Sequence, residues 1–132
     1  MTLVDTSVWI AVFRAHRPLD LERVVPFDEV VTCLPVIQEV LQGFRDNRAF
    51  HHAREAMLSL PRVESPLPEE VFILAVDLYR LARRAGLNIR SSVDCLIAAC
   101  AIRKDLEILH SDRDYASLAR VSSLRERSVN AK

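Results

Sequence analysis

Asp5 ends a short apolar run, Leu3-Val4, and Asp112 and Asp114 follow a second one, Leu106–Leu109. Glu39 stands on a stretch of helical periodicity opened by Pro35, and Asp94 in the first turn of another opened by Ser91 or Ser92. Carboxylates gathered in one place repel one another unless a cation sits between them. Mg²⁺ and Mn²⁺ favour such all-oxygen ligand sets and retain several waters. One or two of these ions in a carboxylate cluster activate water and stabilise the leaving oxygen of a phosphodiester. That chemistry requires no histidine, thiol or glycine loop. Glycine occurs only at 43 and 86, so neither a GxGxxG nor a P-loop can be written. Cys33, Cys95 and Cys100 have no CxxC spacing and read as free buried thiols of a reducing compartment.

Each acid also has a purely structural reading. Asp94 completes an S-x-x-D capping box with Ser91. Asp112 or Asp114 can cap the helix that follows, and Glu39 alone is an ordinary solvated helix acid. Asp5 is harder to explain this way, because an acid at the end of an apolar strand is costly to desolvate without a partner. The acids together carry more weight than any one of them. Without a cation, their mutual repulsion is expected to raise at least one pKa.

The elements that must position them follow from periodicity. Leu3-Val4 reads as the end of a buried strand, followed by a helix through Val8, Trp9, Ile10, Val12 and Phe13 capped by Thr6 or Ser7. A short helix near Asp20–Val25 and a β-rich run over Val30–Cys33 come next. Pro35 occupies a favoured first-turn position before the stripe Val36, Ile37, Val40, Leu41, Phe44. Ala49–Leu60 is a further amphipathic helix, Val63 marks a short third strand, and Pro68 opens the clearest helix of the chain. Glu69 and Glu70 lie in that helix's first turn, Arg83 and Arg84 in its last, and Gly86 just beyond. A nearly all-apolar helix from Ser92, the strand Leu106–Leu109 and a loop with a short helix over Asp112–Leu118 complete the series. The polar segment from Ser122 is expected to fray. Strands alternating with helices predict one α/β domain with a parallel sheet over residues 1–132. In such sheets ligands bind at the carboxyl ends of the strands, which is where Asp5, Asp112 and Asp114 are expected.

Composition narrows the function classes. The chain has 132 residues, 50% of them hydrophobic and 27% charged, as expected of a globular domain. Lys+Arg and Asp+Glu number 18 each, which excludes an extended basic coat for nucleic acid. Only Lys104 and Lys132 are lysines, so sixteen of the eighteen basic residues are arginine. The N-terminus has no basic region or cleavage site of a signal peptide, and no apolar stretch is long enough to span a membrane. These features predict a cytoplasmic protein.

Val4-Asp5-Thr6-Ser7-Val8-Trp9-Ile10 resembles the opening motif of PIN-domain ribonucleases. Val36–Gly43 resembles their second motif, Ser92–Ala99 the third and Leu109–Tyr115 the fourth. Order, spacing and length are similar to the VapC toxins of bacterial toxin–antitoxin pairs. The resemblance implies a three-layer α/β/α sandwich with a central parallel sheet in the order 3-2-1-4-5. It implies endonucleolytic cleavage of RNA dependent on Mg²⁺ or Mn²⁺, neutralisation by a small antitoxin, and a homodimer or a dimer of toxin–antitoxin pairs. Asp5, Glu39, Asp94 and Asp112 match the catalytic acids, with Asp5, Asp94 and Asp112 as metal ligands. Asp114 matches a further nearby acid, and Thr6 or Ser7 a supporting hydroxyl. Tyr115 departs from the family's common phenylalanine and His110 from its common threonine.

Arg90 and Arg113 adjoin the acids and either bind RNA phosphate or pair with those acids. Trp9 and Phe13 read as core or partner-facing residues, and His51-His52 as surface. The helices over Val8–Phe13 and Ala49–Leu60 carry enough apolar residues to form part of an antitoxin groove. Other classes fit less well. A DxD phosphatase would need an acid where Ser7 stands, and a phosphoacceptor module a lysine better placed than Lys104. A PIN-like fold that binds without cleaving remains the alternative to the enzyme.

Overall fold

The computed structural model describes residues 1–130. Its centre is the strand β1 (Thr2–Val4), buried at every position. β1 pairs in parallel with β2 (Val30–Val31) on one side and β3 (Glu107–His110) on the other. β3 pairs in parallel with β4 (Arg125–Ser128), so the sheet runs β2-β1-β3-β4. A strand covered on both faces reads as continuous apolar sequence rather than as an alternation, which is why Leu3-Val4 and Ile108-Leu109 were legible.

Among the described residues six α-helices flank this sheet: α1 (Thr6–Phe13), α2 (Leu34–Gln42), α3 (Asn47–Leu58), α4 (Glu69–Arg84), α5 (Ser92–Arg103) and α6 (Arg113–Ala119). The arrangement is the expected α/β sandwich. α5 touches α2, α4, α6 and β3, and its buried positions include the unbroken run Ile97–Ala101. A helix apolar on all sides is one that lies inside the molecule. Gly86 adopts φ +76° after α4, and Leu87 N–H returns to the Ala82 carbonyl at 2.9 Å, as a glycine-terminated helix end requires. Cys33, Cys95 and Cys100 are buried free thiols. Among the described residues no helix is long and apolar enough to cross a membrane.

Three local expectations are corrected. The third strand near Val63 is reduced to one parallel bridge, Thr32 to Arg62, at the outer edge of β2. Pro61 has no N–H to extend that ladder. Glu64 then turns the chain away at φ +52°, anchored by ion pairs to Arg103 and Lys104. Among the described residues four strands therefore stand where five were expected, with neighbours in the implied order. The second correction concerns the segment from Ser122, expected to fray. Its residues 125–128 form β4, while 131–132 lie outside the described residues. The run Arg-Glu-Arg-Ser has no hydrophobic signature because it is an edge strand, where charge is favoured. Its side chains pair across to Glu107 (3.1 Å from Arg127) and His110 (2.7 Å from Glu126). The third correction is the cap of α1. Asp5 fills that position, its carboxylate accepting from Ser7 N–H at 3.0 Å, rather than Thr6 or Ser7.

Candidate active site

β1 and β3 are adjacent, and the chain leaves them toward opposite edges of the sheet. Their carboxyl ends therefore frame the crevice in which an open α/β sheet binds its ligands. Asp5 N–H donates to the Leu109 carbonyl at 2.9 Å, tying the two strand ends together beneath that crevice. Asp5 is 2% exposed and both its oxygens are engaged. Oδ2 accepts from Ser7 N–H and from Ser7 Oγ at 2.5 Å, and Oδ1 accepts from the Tyr115 hydroxyl at 2.5 Å. Ser7 Oγ in turn accepts the Ser111 N–H at 2.9 Å.

The other acids come from elements around the crevice. Asp112 caps α6, accepting Asp114 N–H at 2.9 Å, so the capping role considered for it is real. Asp114 is buried in the first turn of that helix. Asp94 faces them from the first turn of α5, also buried. Ser91 makes no side-chain cap bond there, so the S-x-x-D capping box does not form. Asp94, Asp112 and Asp114 each present an oxygen within 4.8 Å of the others. Glu39 on α2 accepts the Thr6 hydroxyl at 2.8 Å, which fixes the roles of the two hydroxyl residues: Thr6 holds Glu39 and Ser7 holds Asp5.

The spacing of the acids sets Asp5 slightly apart from the others. Asp5 was placed among the ligands with Asp94 and Asp112, and Asp114 in support. The closely spaced trio is Asp94, Asp112 and Asp114. Asp5 stands behind it, linked through the Tyr115 hydroxyl, which lies 3.3 Å from Asp94 Oδ1.

Burial and repulsion act on the protons of the site. Desolvation, then the charges of Asp5 and Asp112, push Asp94 up to about 8, and a hydrogen bond with Asp114 adds to this. Glu39 is raised by desolvation and by the same two charges, against the opposing bond from Thr6. Burial, and then Asp5 and Asp94, hold the Tyr115 hydroxyl protonated, well above its ordinary range. The expected elevation of at least one carboxyl is thus present. Without a cation, the site favours the protonated form of Asp94.

Arg90 partly neutralises the trio. Its Nη2 is 3.2 Å from Asp112, its Nε 3.6 Å from Asp114, and its backbone N–H donates to Asp114 at 3.1 Å. Of the two readings open for Arg90, ion pairing is the one seen. Arg113 is exposed and forms no ion pair among the described residues. Trp9 is buried, and Phe13 stacks on it with ring centroids 5.9 Å apart.

The fit to a hard divalent cation rests on one atom above all. Asp94 Oδ2 is buried and has no hydrogen-bond partner. A lone carboxylate oxygen of this kind is costly, and it belongs to a residue whose neighbours are two further carboxylates. All-oxygen donors suit Mg²⁺ or Mn²⁺ rather than a soft metal. The residues therefore fit the group.

Sequence reasoning assigned Tyr115 and His110 no role beyond their departure from the common residues, and missed Glu126 altogether. Tyr115 carried a usable signal, a hydroxyl at a position otherwise suited to the core. Glu126 carried none, since it lies in a polar stretch without periodicity.

Comparison with known proteins agrees with this fold. The PIN domain family model matches residues 2–121. The VapC ribonuclease Mb1587 of Mycobacterium bovis is 35% identical over 133 residues, covering 97% of this chain and 98% of that protein. Ribonuclease VapC11 of Mycobacterium tuberculosis matches equally well. Among solved structures, VapBC-5 of M. tuberculosis superposes with a TM-score of 0.73 at 23% identity, covering 97% of this chain and 98% of that one. The DNA-bound VapBC of Salmonella typhimurium superposes at 0.77 with 14% identity, covering 96% of each. The chain, with its acids at the β1–β3 crevice, belongs to the PIN-domain family, among the VapC ribonucleases.

Proposed function

We propose that the protein is an endoribonuclease that cleaves RNA with Mg²⁺ or Mn²⁺ and serves in the cytoplasm as the toxin of a toxin–antitoxin pair. The observation that carries this reading is the buried, partnerless Asp94 Oδ2 beside Asp112 and Asp114. Asp94, Asp112 and Asp114 hold the cation. When bound, it supplies Lewis-acid stabilisation of the phosphodiester and lowers the pKa of water. Asp5 keeps Tyr115 and Ser7 in register behind the trio. Glu39, raised above its ordinary range by burial and by the charges of Asp5 and Asp112, and held by Thr6, is assigned the role of taking a proton. The test is incubation of end-labelled single-stranded RNA with the purified protein. Internal cleavage in Mg²⁺ or Mn²⁺ that stops in EDTA is expected. RNA binding with no cleavage would favour a PIN-like binding module, and cleavage undiminished by EDTA would remove the cation from the mechanism.

Arg90 gives a finer prediction, because it bonds the carboxylates a cation needs. It competes electrostatically with the cation, yet its half-exposed guanidinium suits phosphate. Arg90→Ala is therefore expected to tighten Mn²⁺ binding several-fold while weakening the affinity for a non-cleavable RNA. Isothermal titration with each ligand separates the two effects. Arg113→Ala, at an exposed site, is expected to weaken RNA binding alone.

For partners, several structural neighbours are described as VapBC toxin–antitoxin complexes. We place the antitoxin contact on a groove of about 250 Å³ between α1 and α2, lined by Ile10, Phe13, Val40 and Phe44. The sequence expectation paired α1 with the Ala49–Leu60 helix. The apolar stripe of that helix, α3, is instead turned inward at Ala53 and Met57.

The homodimer is placed on α4. Phe72, Ile73 and Val76 are 47%, 57% and 56% exposed there, an apolar patch too concentrated for an unpaired face. Glu69 and Glu70 lie at one end of the helix and Arg83 and Arg84 at the other. A two-fold axis across α4 brings opposite charges together, as a self-complementary interface requires. Val76→Arg is expected to convert dimer to monomer in light scattering without unfolding the chain. A dimer unaffected by this change would place the interface elsewhere.

A further inference from the structure

The C-terminal strand has no part in the reading above, yet it grips the loop that carries Asp112. His110 ends β3, is 3% exposed, and precedes Asp112 by two residues. Its Nδ1 accepts the Asp112 N–H at 3.1 Å. A ring nitrogen that accepts carries no proton, so the imidazole proton is on Nε2 and is donated to Glu126 Oε1 at 2.7 Å. The ring centroid lies 5.2 Å from that of Tyr115, the two rings tilted at 42°, and the Tyr115 hydroxyl touches Asp5 and Asp94. Two further ties come from the residues beyond β4. Val129 N–H donates to the His110 carbonyl at 2.8 Å, and Asn130 Nδ2 to Ser111 Oγ at 2.8 Å. Ser111 N–H continues to Ser7 Oγ and so to Asp5. Residues 126–130 thus hold His110 and Ser111 directly, and Asp112 through the imidazole.

An exposed glutamate on an edge strand contributes little to stability. Glu126 is different because its partner is a buried imidazole whose other nitrogen fixes the backbone of a carboxylate in the trio. We infer that Glu126, acting through His110, is a positioning residue for Asp112. β4 is then part of the cation site rather than only the edge of the sheet. This rests on the reading of Asp94, Asp112 and Asp114 as the cation site. Groups that orient a metal ligand from behind typically change affinity by about 10- to 100-fold when removed. The chemistry here differs in one respect, since the oriented group is the ligand's backbone and not its side chain, and the lower end of that range applies.

The test is Mn²⁺ titration of the full chain at pH 7.5, followed by electron paramagnetic resonance of the free ion, with thermal melts in EDTA alongside. Glu126→Ala is expected to weaken Mn²⁺ binding about 10-fold. Glu126→Gln, whose amide oxygen still accepts from His110, is expected to recover most of that loss. Arg125→Ala, which removes an exposed pair with Asp105 from the same strand, is expected to leave affinity unchanged. If Glu126→Ala does not fold, Glu126→Asp, with an arm one methylene shorter, reads the same affinity and is expected to fall between wild type and complete loss. A melting temperature lowered in Glu126→Ala with Mn²⁺ affinity intact would overturn the inference, leaving Glu126 a structural residue only. An equal loss in Arg125→Ala would overturn it as well, by showing that any damage to β4 suffices. Failure of the wild type to take up Mn²⁺ would instead overturn the underlying reading of the acids as a cation site.

Discussion

On the proposed reading, Asp94→Asn is expected to stop RNA cleavage and at the same time to make the cation-free protein more stable. The loss of activity follows from the ligand set. An amide is a poor substitute for a carboxylate on a hard cation, and the Lewis-acid contribution at stake is several kcal/mol, or roughly 10³-fold in rate. The gain in stability follows from the proton. Asp94 has an ordinary value near 3.8 in the unfolded chain and about 8 in the fold. A raised folded-state pKa contributes stability that is complete below pH ~4 and is lost as pH rises through 8. In EDTA the wild type should therefore melt progressively lower from pH 5 to pH 9, with Glu39 adding in the same direction. The asparagine variant should lack most of that decline. Each unit of displacement corresponds to about 1.4 kcal/mol, and the substitution should stabilise by on the order of 2 kcal/mol at pH 9, since relaxation of the site offsets part of the effect. For a domain of this size that is roughly 5–10 °C. Mn²⁺ should reverse the slope for the wild type, because it binds the deprotonated carboxylate and its stabilisation grows with pH. A variant that melts below wild type at pH 9 in EDTA would refute this account of Asp94.

Asp5→Ala should have the opposite effect on stability although it too loses cleavage. Asp5 belongs to the same acidic group, but its oxygens are fully engaged by Ser7 and Tyr115. Alanine removes the cap of α1, worth about 1 kcal/mol. It also leaves the buried Tyr115 hydroxyl with only the longer contact to Asp94, costing about 1–3 kcal/mol more. Relief of repulsion offsets part of this. The net expectation is a loss of about 2–3 kcal/mol, or roughly 10 °C in melting temperature. Asp5→Asn should keep the fold near wild-type stability, because its amide oxygen still accepts from Ser7 N–H, while cleavage is lost. Melts of both variants in EDTA at pH 8 decide the matter. If Asp5→Ala melts at or above wild type, Asp5 is one more destabilising charge of the cluster and not the support assigned to it.

The contrast between these two aspartates shows where sequence reading reached its limit. Each lies beside an apolar run and each matched a family motif, so both were recognisable as site residues. Their opposite energetic roles depend on Tyr115, which is distant from Asp5 in the chain and meets it because β3, which leads into α6, pairs with β1. The spacing of the trio was hidden for the same reason. The resemblance counted Asp5 among the ligands; in the fold Tyr115 and Ser7 engage its oxygens, while Asp94, Asp112 and Asp114 stand close together.

By itself the sequence determined the parallel α/β architecture, the helices from Pro35, Pro68 and Ser92, and the convergence of the acids. These follow from local rules: uninterrupted apolar runs for strands covered on both faces, 3.6-residue periodicity for helices, and proline and glycine at their ends. Only the tertiary structure decided that Arg-Glu-Arg-Ser at 125–128 is a strand, that the strand near Val63 shrinks to one bridge, and which oxygens remain free to meet a cation. An edge strand held by cross-strand charge pairs has no periodic signature, because its stability resides in Glu107 and His110 of its neighbour. The freedom of a carboxylate oxygen likewise depends on which hydroxyls and guanidinium groups packing brings against it. That is a property of residues far apart in the chain, and no local spacing encodes it.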